Sequence, residues 1–347
     1  MKILITGGAG FIGSHIAEHY TQKGAEVFIF DNLSRAQYTL KKGTVRDYNW
    51  NYLENYPSIA RIPGDIRDFE ALEAAAQGVE IIFNCAAQTQ INASIADPIE
   101  DISTNIMGTF NILELARRLP QKPIIIHCST SRIYGINVNR LKSIEDGDIL
   151  RFADNSVKNG ISEDFPLDGH GHTPFGVSKL AADIYMQEYA HLYGLKIGVF
   201  RLSTVYGPRQ FGLEEQGWIA RLLLDTLLGR PAALYGAGTQ TRDPLFVTDM
   251  IAAFEAFIES EIHQGVFNLG GGMNNLLSPL RLLEILTEKT GARSAPNFHP
   301  PQPYDPKIYY ADISKARKLL NWKPSISIDQ GLNLMIEWVN ENKNLFS

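Results

Sequence analysis

The stretch Lys2-Ile3-Leu4-Ile5-Thr6-Gly7-Gly8-Ala9-Gly10-Phe11-Ile12-Gly13 decides the fold. A short aliphatic run of strand character leads without a break into a glycine-rich turn, and the turn opens a helical pattern. Gly7 permits the tight bend, Gly10 lets the backbone approach a pyrophosphate, and Gly13 lets helix and strand pack closely. A helix N-terminus beyond such a turn favours an anion, because its first N–H groups are unsatisfied and the macrodipole is positive there. Asp31 ends the next strand-like run, 18 residues after Gly13, placed to accept hydrogen bonds from the hydroxyls of an adenosine ribose. A carboxylate there repels a 2′-phosphate, so NAD is expected over NADP, with Arg35 nearby tempering the preference. Asp65-Ile66, after the third strand, suits the adenine; Asp65 as a helix N-cap is the competing reading.

Outward from this turn, apolar runs alternate with amphipathic ones. Strands are expected at 2–6, 26–31, 59–63, 79–85, 123–128 and 196–201, and helices at 15–23, 69–76, 99–118 and 173–193. Near-continuous Val/Ile/Leu/Phe strands separated by helices predict an α/β, doubly wound parallel sheet of Rossmann type. Residues 1–180 are expected to form this domain, with the sheet completed by about 195–205 and 240–260. Residues 206–347 should form mainly a smaller C-terminal α/β lobe for substrate, with helices near 218–228, 278–290 and 329–342 and a strand at 265–269. The long polar stretches 36–56 and 135–171 read as functional loops. The substrate is expected in the crevice at the carboxyl ends of the strands.

The 347 residues carry 44% apolar side chains, 20% charged ones and a net charge of −6, which argues against a nucleic-acid or anionic-membrane partner. No apolar run reaches the roughly 18 residues of a spanning helix. Met1-Lys2 runs directly into the first strand with no signal peptide ahead of it, so a cytoplasmic protein is expected. Cys85 and Cys128 end apolar runs and read as reduced, buried, small hydrophobes. The eight histidines show no metal spacing, and no metal is expected.

The motif Thr6–Gly13 and the run Asn84-Cys85-Ala86-Ala87-Gln88 resemble the extended short-chain dehydrogenase/reductases, the NAD-dependent epimerase/dehydratase family. Gln88-Thr89-Gln90, Ser129-Thr130-Ser131-Arg132-Ile133-Tyr134-Gly135, Arg201 through Gly212 and Glu215-Gln216-Gly217-Trp218 are similar to its CDP-paratose (CDP-tyvelose) 2-epimerase group. The resemblance implies an NAD enzyme acting on a nucleotide sugar, and homodimers or homotetramers packed through the helices at 99–118 and 173–193. It puts Phe11, Ile12, Asn32, Ala86, Lys179, Arg201 and Ser203 with Asp31, Asp65 and Ile66 on the cofactor. Gln88, Thr130, Gln210, Arg242 and Lys307 fall to the substrate, the last two on its diphosphate, with lysine at the second place where arginine is commoner. Phe211 and Trp218 are candidates for walling the base, with Trp218 equally a candidate for the core.

The family's chemistry rests on a serine or threonine, a tyrosine and a lysine four residues after it. Here they are Thr130, Phe175 and Lys179, and the tyrosine position holds phenylalanine. Epimerising a carbinol needs a base to take the hydroxyl proton as hydride leaves the carbon, and a phenyl ring has no proton to exchange. Three readings stand: an engineered Tyr-to-Phe form of low activity, a natural enzyme using Tyr134, His127 or His172, and a non-catalytic NAD-binding sensor. Ser131-Arg132 replaces the Asp-Glu pair of sugar dehydratases, which disfavours loss of water. The resemblance points to carbon 2 of a CDP-hexose; a carbon-4 epimerase or a reductase of a UDP- or dTDP-sugar is the alternative.

Overall fold

In the computed structural model, which describes residues 1–34, 47–212, 216–302 and 304–346, strand β1 (Lys2–Thr6) leads into α1 (Phe11–Gln22), β2 (Glu26–Asp31), α2 (Tyr48–Tyr52), β3 (Ile59–Pro63), α3 (Phe69–Ala75) and β4 (Ile81–Asn84). Next come α4 (Ile91–Ala96), α5 (Pro98–Asp101), a π-helical stretch (Ile102–Met107), α6 (Gly108–Arg118) and β5 (Ile124–Thr130). The hairpin of β6 (Ser143–Asp146) and β7 (Ile149–Phe152) precedes α7 (Thr173–Tyr193), β8 (Ile197–Leu202) and β9 (Val205–Tyr206). The remainder holds α8 (Trp218–Leu227), β10 (Ala232–Tyr235), β11 (Leu245–Phe246), α9 (Val247–Glu259), β12 (Gln264–Leu269), α10 (Pro279–Thr290), β13 (Pro296–His299), α11 (Ser314–Leu320) and α12 (Ile328–Glu341). Arg35 and Glu215 lie outside the described residues.

Seven parallel strands in the order β12-β8-β5-β4-β1-β2-β3 make the main sheet, the doubly wound α/β arrangement. Leu4 pairs with Phe28 on one side and Ile82 on the other, and Phe83 with Ile126. Strands flanked by helices on both faces bury nearly every side chain, which is why they read as unbroken apolar runs. The chain divides into two units: Met1–Thr130, Pro174–Arg201 and Ile251–Phe267 form the first, and Ser131–Thr173, Leu202–Met250 and Asn268–Ser347 the second.

Two features of this division differ from the sequence reading. Residues 131–173 group with the second unit, because backbone bonds tie them there: Ile161 N–H donates to Tyr310 O at 2.8 Å, and Phe152 N–H to the Tyr310 hydroxyl at 3.0 Å. One edge strand of the main sheet is β12, which the pattern alone assigned to the substrate lobe.

The helix expected over 99–118 is interrupted. Asp97 caps α5 by accepting from Ile99 and Glu100, and the π-helical stretch then widens the turn before α6. Gly108 sits where a Cβ would lie 2.3 Å from Ile66 Cδ1, so a larger residue there would have to displace the Ile66 side chain. In the first unit, Phe200 packs against Phe254 and Phe267 with ring centroids 4.7 and 5.6 Å away, and Phe83 joins through Phe254. In the second, Phe211, Trp338 and Phe346 form a ring cluster, and buried Trp322 donates its indole N–H to Asp249 O at 2.8 Å. Phe211 is thus a core residue of that unit. Helix α12 starts on a capping box between Ser327 and Gln330.

Candidate active site

The glycine turn after β1 has the geometry its spacing requires. Gly7 adopts φ +69°, and a Cβ on it would lie 2.7 Å from Ala86 N. A Cβ on Gly13 would lie 2.3 Å from Gly7 O, so this residue lets α1 close onto the turn. Gly10 differs: within 4 Å its missing Cβ would meet only Gly7 O, at 3.1 Å. It is also the N-cap of α1, with no side chain capping the first N–H groups. The turn is therefore packed tightly behind and open at the helix N-terminus, a cradle suited to a pyrophosphate. Asp31 accepts from Ala9 N–H at 3.0 Å with one oxygen and from Leu33 N–H at 2.8 Å with the other, which pins its carboxylate beside the turn.

The supporting residues are placed less simply. Asp65 is not a helix cap: Asp68 caps α3 by accepting from Ala71 N–H at 3.1 Å, whereas Asp65 holds Arg67 and accepts from Asn32 Nδ2 at 2.8 Å. Against the cost of burial, those bonds and the Arg67 charge hold the Asp65 carboxyl down at about 2. Ile66 is core, and its carbonyl accepts from Asn111 Nδ2. Phe11 is buried edge-on to His15, while Ile12 is half-buried. Arg201 lies buried in an ion pair with fully buried Asp183, which also accepts from Ser129 Oγ at 2.7 Å.

Thr130 ends β5, Phe175 lies in the first turn of α7, and Lys179 is one turn further along. Phe175 and Lys179 are 7% and 5% exposed. Burial lowers the pKa of Lys179, and no described side chain forms a salt bridge with it. Ser178 Oγ donates to Phe175 O at 2.9 Å and accepts from Asn105 Nδ2 at 2.9 Å. Asn105 also grips Gln88 through both backbone groups, at 2.8 and 3.0 Å. This residue of the π-helical stretch was missed by the sequence reading; its signal was an amide at a buried position of an otherwise amphipathic helix. The Gln88 side chain is committed to Asp101 Oδ1 and Gln90, so it shapes the loop that carries it.

Of the alternative bases, Tyr134 is fully buried and donates its hydroxyl proton to Asn268 Oδ1 at 2.8 Å. His127 is fully buried beside Asn84, and burial followed by the Lys179 charge pushes its pKa well below the usual imidazole range. His172 is 8% exposed and crowds against Gly135.

In the second unit, Arg242 Nη2 donates to Asp305 Oδ1 at 2.9 Å and to Pro306 O at 2.6 Å, and Nη1 to Thr241 O at 2.8 Å. Arg132 Nη2 reaches the same Asp305 oxygen at 2.8 Å. Two guanidinium groups on one carboxylate leave a positive excess there. Lys307 is exposed. Gln210 is 8% exposed; it donates to Val205 O, and its buried Oε1 has no hydrogen-bond partner among the described residues. Ser203 Oγ donates to Asp243 Oδ1, and Trp218 opens α8 half-buried. No group of three metal-ligating side chains occurs among the described residues, and none of their helices is long and apolar enough to cross a membrane.

The model of the NAD dependent epimerase/dehydratase family matches residues 3–270. The chain belongs to this family. It is 33% identical to a CDP-paratose 2-epimerase of Salmonella typhi over 97% of its own length and 99% of the relative's. It is 33% identical to a UDP-glucuronate 4-epimerase of Thermodesulfobacterium geofontis over 99% and 97%. Among solved structures, the UDP-glucuronic acid 4-epimerase of Bacillus cereus in complex with UDP-glucuronic acid and NAD is similar at TM-score 0.81 and 29% identity, covering 99% of this chain and all of that one. The cofactor of this family member is NAD, and the open, uncapped turn at Gly10 fits it.

Proposed function

We propose that the chain epimerises a nucleotide-activated hexose at carbon 2, with a CDP-sugar as substrate and a ketosugar as intermediate. The observation that carries this reading is the end-to-end similarity to a CDP-paratose 2-epimerase, joined to a catalytic helix on which only one oxygen is missing. When bound, NAD supplies the acceptor and later the donor of the hydride. Gly7, Gly10 and Gly13 cradle its pyrophosphate, Asp31 takes the adenosine ribose, and Lys179 takes the nicotinamide ribose. Thr130 hydrogen-bonds the reacting oxygen. Arg242 and Lys307 offset the charge of the substrate diphosphate, and Gln210 Oε1 offers a buried acceptor to a substrate donor.

Phe175 leaves this arrangement without its phenol. Tyr134 spends its hydroxyl proton on Asn268, and His127 is fully buried beside Asn84, so neither takes the place of the phenol in this reading. The chain as it stands turns over slowly, about 10²–10⁴-fold below a tyrosine-bearing site. To test this, the protein is incubated with NAD and, separately, CDP-paratose, CDP-tyvelose, UDP-glucuronate and UDP-glucose, and the products are followed by NMR. Slow interconversion of the CDP-sugars with no NADH accumulating is expected. Conversion of a UDP-sugar alone moves the assignment to carbon 4. Retained NAD with no turnover of any sugar favours a sensor.

We also propose a homodimer packed through α7 and the helical segment that leads into α6, supported by the exposed apolar side chains Met107, at the end of the π-helical stretch, and Ile184, Tyr185 and Leu192 of α7. Sedimentation should give a dimer that Leu192→Arg converts to monomer; a monomeric parent protein removes the proposal.

A further inference from the structure

The two cysteines of the chain, 43 residues apart in sequence, lie side by side. β4 and β5 are parallel neighbours with Asn84 opposite His127, so the next residues along, Cys85 and Cys128, are brought together. Adjacent strands run about 4.8 Å apart, inside the Cα separation of roughly 4.4–6.8 Å that a disulfide accepts. The two Sγ atoms stand 3.6 Å apart as free thiols. We propose that Cys85 and Cys128 form a thiol–disulfide site that reacts with a peroxide, and that closing it weakens NAD binding.

Access and charge set the order of events. Cys85 is half-buried and Cys128 is 8% exposed, so the oxidant enters at Cys85. The Cys128 thiol and burial hold the Cys85 thiol protonated at rest, while the Lys179 ammonium opposes this. The pair therefore rests as thiols, and Cys85 gives up its proton as it reacts. In the first step the Cys85 sulfur, as thiolate, attacks one peroxide oxygen. The O–O bond breaks, a sulfenic acid forms, and the departing hydroxide takes up the thiol proton as water. In the second, the Cys128 sulfur attacks the Cys85 sulfur, the S–O bond breaks, the S–S bond forms and a second water leaves. Two thiols lose two electrons and two protons, and one peroxide becomes two waters.

The consequence for cofactor follows from what Cys85 touches. Its N–H donates to Thr6 O at 3.2 Å, and the next N–H, of Ala86, reaches Thr6 Oγ1 at 3.4 Å. The space where Gly7 lacks a Cβ is bounded by Ala86 N at 2.7 Å and Cys85 C at 2.8 Å. The Cys85-Ala86 backbone is thus flush against the glycine turn. The bond ties Cys85 to β5 and fixes its side-chain torsions, which takes from the Cys85-Ala86 backbone the freedom to adjust as the turn receives NAD.

The test compares reduced protein with protein incubated in hydrogen peroxide. Expected are an internal disulfide in a single chain, a mass lower by two hydrogens, unchanged far-ultraviolet circular dichroism, and NAD affinity reduced about tenfold or more. Dithiothreitol should restore the affinity, and Cys128→Ser should retain it through the same incubation. Phenylarsine oxide, which bridges adjacent thiols, should bind the reduced protein one to one and not bind Cys85→Ser. Two thiols surviving the peroxide, a disulfide only between chains, an internal disulfide without change in NAD affinity, or an affinity loss accompanied by unfolding each overturn the proposal. So does failure of the arsenical to bind.

Discussion

The glycine turn of the first unit and the cation cluster of the second are built in opposite ways. The turn is made of backbone: its open face at Gly10 and its closed faces at Gly7 and Gly13 are consequences of absent side chains. The cluster is made of side chains, and its cations already have protein partners, with Arg132 and Arg242 meeting on one oxygen of Asp305. A backbone site is finished by local spacing. A side-chain site is finished by whichever distant loop brings its counter-charge, here the segment around Asp305. The first presents unsatisfied N–H groups to an incoming anion, whereas the cations of the second already meet an internal carboxylate.

The largest effect expected from this contrast lies at neither region. If both are complete, Phe175→Tyr should raise turnover on the order of 10²-fold or more with NAD and sugar-nucleotide affinities unchanged. Equal rates for both proteins would mean that another base operates. Arg242→Ala should raise the sugar-nucleotide dissociation constant about ten- to hundredfold and leave NAD untouched, because hydrogen bonds to a charged group are worth roughly 1.5–3 kcal/mol. Calorimetry showing equal loss of NAD would place Arg242 on the cofactor. Asp31→Ala should act on the other ligand alone, weakening NAD about tenfold and relaxing rejection of NADP. Equal binding of NAD and NADP by the parent protein would remove the role given to Asp31.

The smallest effect is in stability against pH, and its sign should differ between the units. Asp65, in the first, is held at about 2 against 3.8 for an ordinary aspartate, so it stabilises the fold above pH 4 and that contribution fades toward pH 2. Asp243, in the second, is pushed by burial up to about 7, so the native state holds a proton that the unfolded chain releases. Stability contributed there falls as pH rises from about 4 through 7. Asp243→Asn should flatten that limb and raise Tm by a few degrees, ~2 °C or more, at pH 8. A thermal-melt series with an unchanged slope would show that Asp243 is ionised in the native protein.

The same contrast explains what could be read in advance. β1, β2 and β3 match their expected bounds, since alternation of apolar runs is a local property. So does α7, which carries Phe175 and Lys179. The interruption of the helix over 99–118 was not legible, because it lies in a cap at Asp97 and a widened turn whose buried Asn105 bonds Gln88 and Ser178, 17 and 73 residues away. Nor was the role of Asn105, or the partnership of Arg201 with Asp183, both fixed by contacts between elements distant in sequence. The grouping of residues 131–173 with the second unit depended on Tyr310, far downstream. Spacing reports which residue types sit together along the chain; it is silent about which oxygen a guanidinium finally reaches.

The aromatic residues of the two units make them optically distinct. The first unit's inner ring cluster consists of phenylalanines, which are almost dark beside indole, and of the four tryptophans only Trp50 belongs to that unit, over the Arg61 guanidinium. Trp218, Trp322 and Trp338 belong to the second. Indole emission is therefore chiefly a gauge of one half of the molecule, while backbone ellipticity averages both. A melt in which the two signals separate would resolve the halves without any label, and the direction of their separation with pH would report on Asp65 and Asp243 individually.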